Sequence, residues 1–280
     1  MPNYRKTKKT FNSNELTKLM ARFRFIHLVH EDKTAWISLN HPPVNALSRE
    51  VLKELEETFE ELNNDAGTRA VVISSAIGKF FCAGADVREL AQLQSGILAK
   101  EYSENGQRVF QLVHTASKPY IAAVEGYCLG GGLELMLACH LRIAGSEARL
   151  GFPEIRLGIV PGFGGTQRLP EEVGTAQALE MILTGKEISA AEAHAMGLIN
   201  QVVKAGSAVE QALNLARQIQ SQGAQAVAAL LQAIRGPGNP VLERGLALEA
   251  ELFGKLFETE DAQEGIHAFL EKRVPEFKNR

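Results

Sequence analysis

Cysteine and tryptophan are scarce in this 280-residue chain, with three of the first and one of the second. Cys82, Cys128 and Cys139 are too few and too scattered for a disulfide framework or a zinc site. Each sits among apolar residues, where a thiol packs as a small hydrophobe, and a reducing compartment fits. The seven histidines show no His-Glu-x-x-His or other ligand spacing, so no metal is expected. No apolar run is long enough to cross a bilayer, so no membrane role is expected. Charge of one sign is also missing: 30 basic against 33 acidic residues give a net −3, which leaves no overall basic field for nucleic acid. The nucleotide-phosphate patterns G-x-x-x-x-G-K-[ST] and G-x-G-x-x-G are absent. Ser-His-Asp and Cys-His chemistry have no local support, because His114 and His140 lie in apolar stretches.

What is present is an ordinary globular composition, 45% hydrophobic and 22% charged, which excludes wholesale disorder. Residues 1–22 differ from the rest. Arg5-Lys-Thr-Lys-Lys9 is basic, Asn12-Ser-Asn14 is polar, and no apolar stretch follows, so this is not a secretory signal. A flexible leader on a cytoplasmic protein is the expectation. A mitochondrial matrix location would follow if the leader were a transit peptide, but arginine is sparse there and Glu15 intrudes.

Residues 24–29 and 34–39 read as two short strands around the turn Glu31-Asp-Lys33. Ser48 then reads as the N-cap of a helix with Val51, Leu52, Leu55, Phe59 and Leu62 on one face. Residues 70–74, 118–124 and 141–144 are short apolar runs, as buried parallel strands require. Strands alternating with helices predict an α/β fold with right-handed crossovers. From about Thr175 the chain reads as almost all helix, with capping boxes at Ser189-x-x-Glu192 and Ser207-x-x-Glu210. The last helices, over 241–257 and 261–273, carry apolar stripes that suit either packing on the same subunit or a subunit interface.

Two glutamates stand out. Glu134 sits inside the apolar run Leu133-Glu-Leu-Met-Leu-Ala138, where an unpartnered carboxylate would cost several kcal/mol. Glu154 follows Gly151-Phe-Pro153, in another stretch that reads as buried. Two carboxylates in one pocket repel, which raises at least one pKa, so that one serves as base while the other supplies a proton. Gly130-Gly-Gly132 follows a strand and opens a helix, and Ala83-Gly-Ala-Asp86 leaves another strand with Asp86 as a candidate cap. Two such exits would aim two backbone N–H groups at one point and form an oxyanion hole. Pro161-Gly-Phe-Gly-Gly-Thr-Gln-Arg168 is a further glycine turn, read here mainly as packing beneath the site.

Asn40-His-Pro-Pro-Val-Asn-Ala-Leu47, Phe81-Cys-Ala-Gly-Ala-Asp86, Ala123-Val-Glu-Gly126 with Gly130-Gly-Gly-Leu-Glu134, Phe152-Pro-Glu154 and Pro161 to Arg168 resemble the crotonase (enoyl-CoA hydratase/isomerase) superfamily. The resemblance runs from about Phe23 to the C-terminus and excludes the leader. It implies a crotonase-type spiral of ββα repeats over 23–215 and a helical trimerisation region over 216–280, in a homotrimer or a dimer of trimers. It implies catalysis by Glu134 and Glu154 and an oxyanion hole from the amides of Ala85 and Gly131. It implies coenzyme A contacts at Ala46, Ala83, Ala85, Asp86, Val87, Arg88 and Gly131, with Lys272 reaching the CoA phosphates. CoA is then part of the substrate, and no separate cofactor is expected. Glutamates at both positions point to hydration of trans-2-enoyl-CoA, as in fatty acid β-oxidation. The enzymatic alternatives are a branched-chain, methylglutaconyl-type hydratase and a Δ3-Δ2-enoyl-CoA isomerase. Outside enzymes, the basic leader raises RNA binding, against which the acidic balance weighs.

Overall fold

Short apolar runs build a sheet whose central strands are buried on both faces. In the computed structural model, which describes residues 23–235 and 239–278, β1 (Ile26–Glu31) and β2 (Thr34–Leu39) pair antiparallel across Asp32. Asp32 has a φ of 53°, a left-handed conformation that aspartate tolerates in tight turns. The first strand therefore starts two residues later than its sequence suggests. The expected leader lies outside the described residues.

Ser48 accepts a hydrogen bond from Val51 N at 3.2 Å and starts α1 (Arg49–Asn64). Val51, Leu52, Leu55, Phe59 and Leu62 are all buried, each contributing roughly 1.5–3 kcal/mol by leaving water. A short unit then repeats. β3 (Ala70–Ser75) lies beside β2 in the large sheet, β4 (Phe80–Cys82) begins a second sheet, and α2 (Val87–Leu90) and α3 (Gly96–His114) follow. β5 (Tyr120–Val124) joins the large sheet, β6 (Tyr127–Leu129) the small one, and α4 (Gly131–Ala138) follows. β7 (Leu141–Gly145) and β8 (Arg149–Gly151) repeat the step and lead into a 3₁₀ turn, Pro153–Leu157. This is the ββα spiral.

The chain continues through α5 (Gly165–Val173), α6 (Thr175–Thr184), β9 (Glu187–Ser189), α7 (Ala190–Ala195) and β10 (Gln201–Val203). It ends in α8 (Ala208–Gln220), α9 (Ala224–Arg235), α10 (Pro240–Phe257) and α11 (Glu260–Glu271). The large sheet has the order β1-β2-β3-β5-β7-β10 and the small one β4-β6-β8-β9. β9 pairs antiparallel to β8, and β10 parallel to β7. Both strands fall where the sequence reads as helix.

Alternate residues of β3 point to opposite faces. Ala70 and Val72 pack with Ala208, Ala212 and Ala216 of α8, while Val71 and Ile73 face the main core with Leu52, Leu55 and Phe59. The expected boundary at 215/216 falls inside α8. α10 buries Leu246, Ala250, Phe253 and Phe257 within this subunit and leaves Val241, Leu248 and Leu252 exposed on its other side. The Ser189–Glu192 capping box forms, but Ser207 makes no side-chain cap. Its backbone is not extended (φ −111°, ψ 1°), and Glu125 takes the Ala208 amide instead, at 2.9 Å.

Helix α4 sits against the small sheet through a glycine. A Cβ on Gly132 would overlap the Cys82 carbonyl at the end of β4. Gly132→Ala should therefore push α4 off the small sheet and lower unfolding free energy by about 1–3 kcal/mol, with no chemical group removed. Urea denaturation with an unchanged m-value would check it.

Candidate active site

Three parallel strands of the small sheet end side by side, and each exit carries part of one constellation. β4 leads into Ala83-Gly84-Ala85-Asp86, β6 into Gly130-Gly131, and β8 into Phe152-Pro153-Glu154. Ligands in α/β folds commonly bind beyond the carboxyl ends of parallel strands. Gly84, with a φ of 99°, lets the first two exits touch: a Cβ there would lie 3.3 Å from Gly131 N. Asp86 caps α2 by accepting from Arg88 N at 2.9 Å. Gly131 is the first residue of α4, so its amide has no partner within the helix and sits at the positive end of the helix dipole. The amides of Ala85 and Gly131 find no acceptor among the described residues.

Glu134 lies one turn into α4 and is 2% exposed. Its Oε1 accepts two backbone hydrogen bonds, from Phe163 N and Gly165 N, both at 2.7 Å. Glu154 is partly buried in the 3₁₀ turn. Its Oε1 lies against Gly130, where a Cβ would come within 2.5 Å, and its buried Oε2 has no hydrogen-bond partner among the described residues. Both carboxylates, Ala85 and Gly131 line one cavity of about 210 Å³. Its remaining wall is chiefly apolar: Leu90, Tyr102, Leu157, Ile159, Phe163 and Phe253. A second groove holds Ala46, Ala83, Ala85, Asp86, Val87, Arg88 and Lys272, and shares Ala83, Ala85, Val87 and Phe269 with the first. Each residue that the resemblance implies for catalysis, the oxyanion hole or coenzyme A thus lines the cavity or the groove that shares its wall. Arg88 and Lys272 give the groove two cations, with Lys272 ending α11 in a left-handed conformation. Among the described residues, no cluster of His, Cys, Asp or Glu side chains is arranged to hold a metal ion.

Burial is the largest influence on both carboxyl groups. It holds Glu134 well above the usual range, reinforced by the charges of Glu249 and Glu154 and opposed by its two backbone donors. Burial also carries Glu154 to about 8, opposed by its own backbone N–H and reinforced by the charge of Glu249. The hydrogen bonds differ in a way that assigns the proton. Two N–H donors from another segment favour an ionised Glu134, whereas Glu154 has only its own backbone N–H, finds no partner for Oε2 among the described residues, and keeps the proton more readily. The pair titrates as a unit.

Two features were missed in the sequence. The 162–166 turn was read as packing, yet it supplies both donors to Glu134. Phe163 is fixed against α3, its ring 5.4 Å from Tyr102 and 5.7 Å from Phe110, and Ser103 Oγ donates to Gly162 O at 2.5 Å. Glu249, also 2% exposed, accepts from Gly164 N at 2.6 Å and Thr166 N at 2.9 Å. Its signal was the one that revealed Glu134, a glutamate inside an apolar helix, but Glu251 and Lys255 beside it make the stretch read as surface.

The family profile described as Enoyl-CoA hydratase/isomerase matches residues 30–280. The chain is 44% identical to a probable enoyl-CoA hydratase of Bacillus subtilis over 254 residues, 90% of this chain and 98% of that one. It is 42% identical to the short-chain-enoyl-CoA hydratase of Clostridium acetobutylicum over 255 residues, covering 90% and 97%. The crystal structure of a carnitinyl-CoA hydratase from Mycobacterium avium superposes with a TM-score of 0.82 at 36% identity, covering 91% and 99%.

A carboxyl whose folded-state pKa lies above its unfolded value binds its proton more tightly when folded. Its stabilising contribution is fully present below the ordinary 4.5 and is lost as pH rises to about 8. Glu154→Gln is neutral at every pH. The variant should match the parent in melting temperature near about pH 4 and exceed it by several degrees above about pH 8. Thermal melts across that window would show the divergence, and parallel curves would contradict it.

Proposed function

The chain belongs to the enoyl-CoA hydratase/isomerase family, and we propose that it catalyses reversible syn addition of water to trans-2-enoyl-CoA, giving 3-hydroxyacyl-CoA. The observation that carries this reading is the pairing of Glu134 and Glu154 in one cavity with the two unpartnered amides of Ala85 and Gly131. The thioester oxygen would sit between those amides, which stabilise the negative charge that grows on it as the enolate forms. Glu134, favoured as the ionised partner, orients a water and takes its proton as oxygen attacks the β-carbon. Glu154, favoured as the protonated partner, delivers its proton to the α-carbon. The two carboxyl groups together hold the same number of protons afterwards, and no separate cofactor is needed. Coenzyme A would run along Ala83, Ala85, Asp86, Val87 and Arg88, with Ala46 near its nucleotide end and Lys272 near its phosphates. The apolar wall and the small cavity suit short acyl chains, the class named for the Clostridium relative. We place the enzyme in the cytoplasm, where the three buried free thiols stay reduced.

The exposed stripe Val241, Leu248 and Leu252 on α10, with Leu230 and Ile234 (75% exposed) on α9, supports a homo-oligomer assembled on these helices. The double variant Leu248→Glu, Leu252→Glu should lower the mass seen by light scattering toward that of one chain. An unchanged mass would remove this face from the interface.

Purified protein added to crotonyl-CoA should abolish the enoyl-thioester absorbance. Glu134→Gln and Glu154→Gln should each lose about 10²–10⁴-fold in rate. The parent kcat/KM should fall as pH rises through about 8, where Glu154 loses the proton it donates. That basic limb should be missing from the residual activity of Glu154→Gln. Near-normal rates in both variants would sink the mechanism. Turnover confined to branched enoyl-CoA or to 3-enoyl-CoA would redirect the substrate assignment.

A further inference from the structure

We propose that Glu249, on α10, is a positioning residue for the hydratase site: it fixes the 162–166 turn whose amides hold Glu134. The proposal rests on the hydratase reading and extends it to a residue that touches no substrate.

Four consecutive amides of the turn alternate between two carboxylates. Phe163 N and Gly165 N donate to Glu134 Oε1, both at 2.7 Å. Gly164 N donates to Glu249 Oε1 at 2.6 Å, and Thr166 N to Oε2 at 2.9 Å. The Thr166 hydroxyl also donates to Oε2, and Gln107 Nε2 reaches Oε1 at 3.1 Å. Glu249 therefore receives four donors from two other segments, and only an acceptor-only carboxylate satisfies all of them. Because the two sets of amides interleave along one strand of backbone, the turn cannot release Glu249 and keep its aim at Glu134. Gly164 has a φ of 103°, and a Cβ there would overlap the Arg168 guanidinium, so the turn has no slack at its centre.

Charge points the same way. The charged groups facing Glu249 are Arg168 on α5, Glu134 on α4 and Glu154 in the 3₁₀ turn. Arg168, 1% exposed, donates to Phe163 O at 2.9 Å and Gln111 Oε1 at 3.1 Å, so its cation lies beside the turn. Glu249 favours the buried Arg168 cation and still raises both Glu134 and Glu154, so that pair shares its proton in the field of Glu249. Removing that negative charge should make the pair easier to ionise.

The test compares Glu249→Gln, Thr166→Val and Glu251→Gln with the parent, all as intact oligomeric protein. Glu249→Gln keeps the shape but turns an amino group toward two donors. It should lower kcat for crotonyl-CoA about ten- to a hundredfold with KM little changed, and shift the basic limb of the pH profile downward. Deuterium exchange in peptides covering 162–166 should quicken. Thr166→Val, which removes one donor, should lose less kcat and leave the limb in place. Glu251→Gln, exposed on the same helix and paired with Lys255, should change none of these. A parental kcat and pH profile in Glu249→Gln would overturn the proposal, as would a loss that follows the unfolded fraction while exchange at 162–166 in folded protein stays unchanged. If the parent hydrates no enoyl-CoA, the hydratase reading fails. Exchange at the turn then decides by itself, faster exchange supporting the role of Glu249 and unchanged exchange refuting it.

Discussion

A carboxylate inside an apolar helix must be met by donors that are themselves held still. Glu134 is met by two amides from a single turn, and that turn is what the rest of the site depends on. Left unpaired in the core, an ionised carboxylate would cost several kcal/mol and would keep its proton instead. The protein spends packing from three directions to avoid that outcome. The Phe163 ring is seated on α3, Ser103 holds the Gly162 carbonyl, and Arg168 holds the Phe163 carbonyl. Each contact is ordinary. Together they leave the two N–H groups one direction in which to point.

The small sheet performs the matching task on the other side of the cavity. Its strands are only three residues long and would be marginal alone. Parallel pairing nevertheless brings three successive chain exits next to one another, and the helices that follow start within the site. The amides of Ala85 and Gly131 are unpartnered for the same geometric reason, since each lies just where a strand stops and a helix begins. An oxyanion site needs such groups fixed in advance, so that no reorganisation is required when charge develops. In the proposed mechanism the sheet supplies this from backbone alone, which leaves side-chain chemistry to the glutamates.

Much of this was legible in the sequence. A glutamate flanked by Leu133, Leu135 and Leu137 cannot be a surface residue on a regular helix, and a proline-stiffened Glu154 among apolar neighbours carries a similar signal. The apolar runs at 70–74 and 141–144 marked strands buried on both faces. The short strands were not legible, because three residues show no period and their pairing is decided by distant segments. Ser207 shows the same limit: its sequence has the capping pattern, but its backbone conformation and the reach of Glu125 decide otherwise. Glu249 was hidden by its exposed neighbours on the same helix. Burial of one face of a mixed helix is settled by what packs there, and Gln107 and Thr166 are far away in the chain.

In the proposed mechanism the carboxyl pair is where stability is given up for chemistry. Glu154 Oε2 is buried without a hydrogen bond, an arrangement that selection for stability alone would remove with a glutamine or an apolar side chain. Burial, opposed by only one backbone donor, keeps its proton near neutral pH, while the two donors on Glu134 bias that partner toward ionisation. Two chemically identical side chains are thereby made unequal by their backbone hydrogen bonds, while the field of Glu249 raises both. Satisfying Glu154 with a donor would stabilise its anion and remove the asymmetry. On the proposed mechanism the unsatisfied oxygen is a condition of acid–base work rather than a flaw in packing.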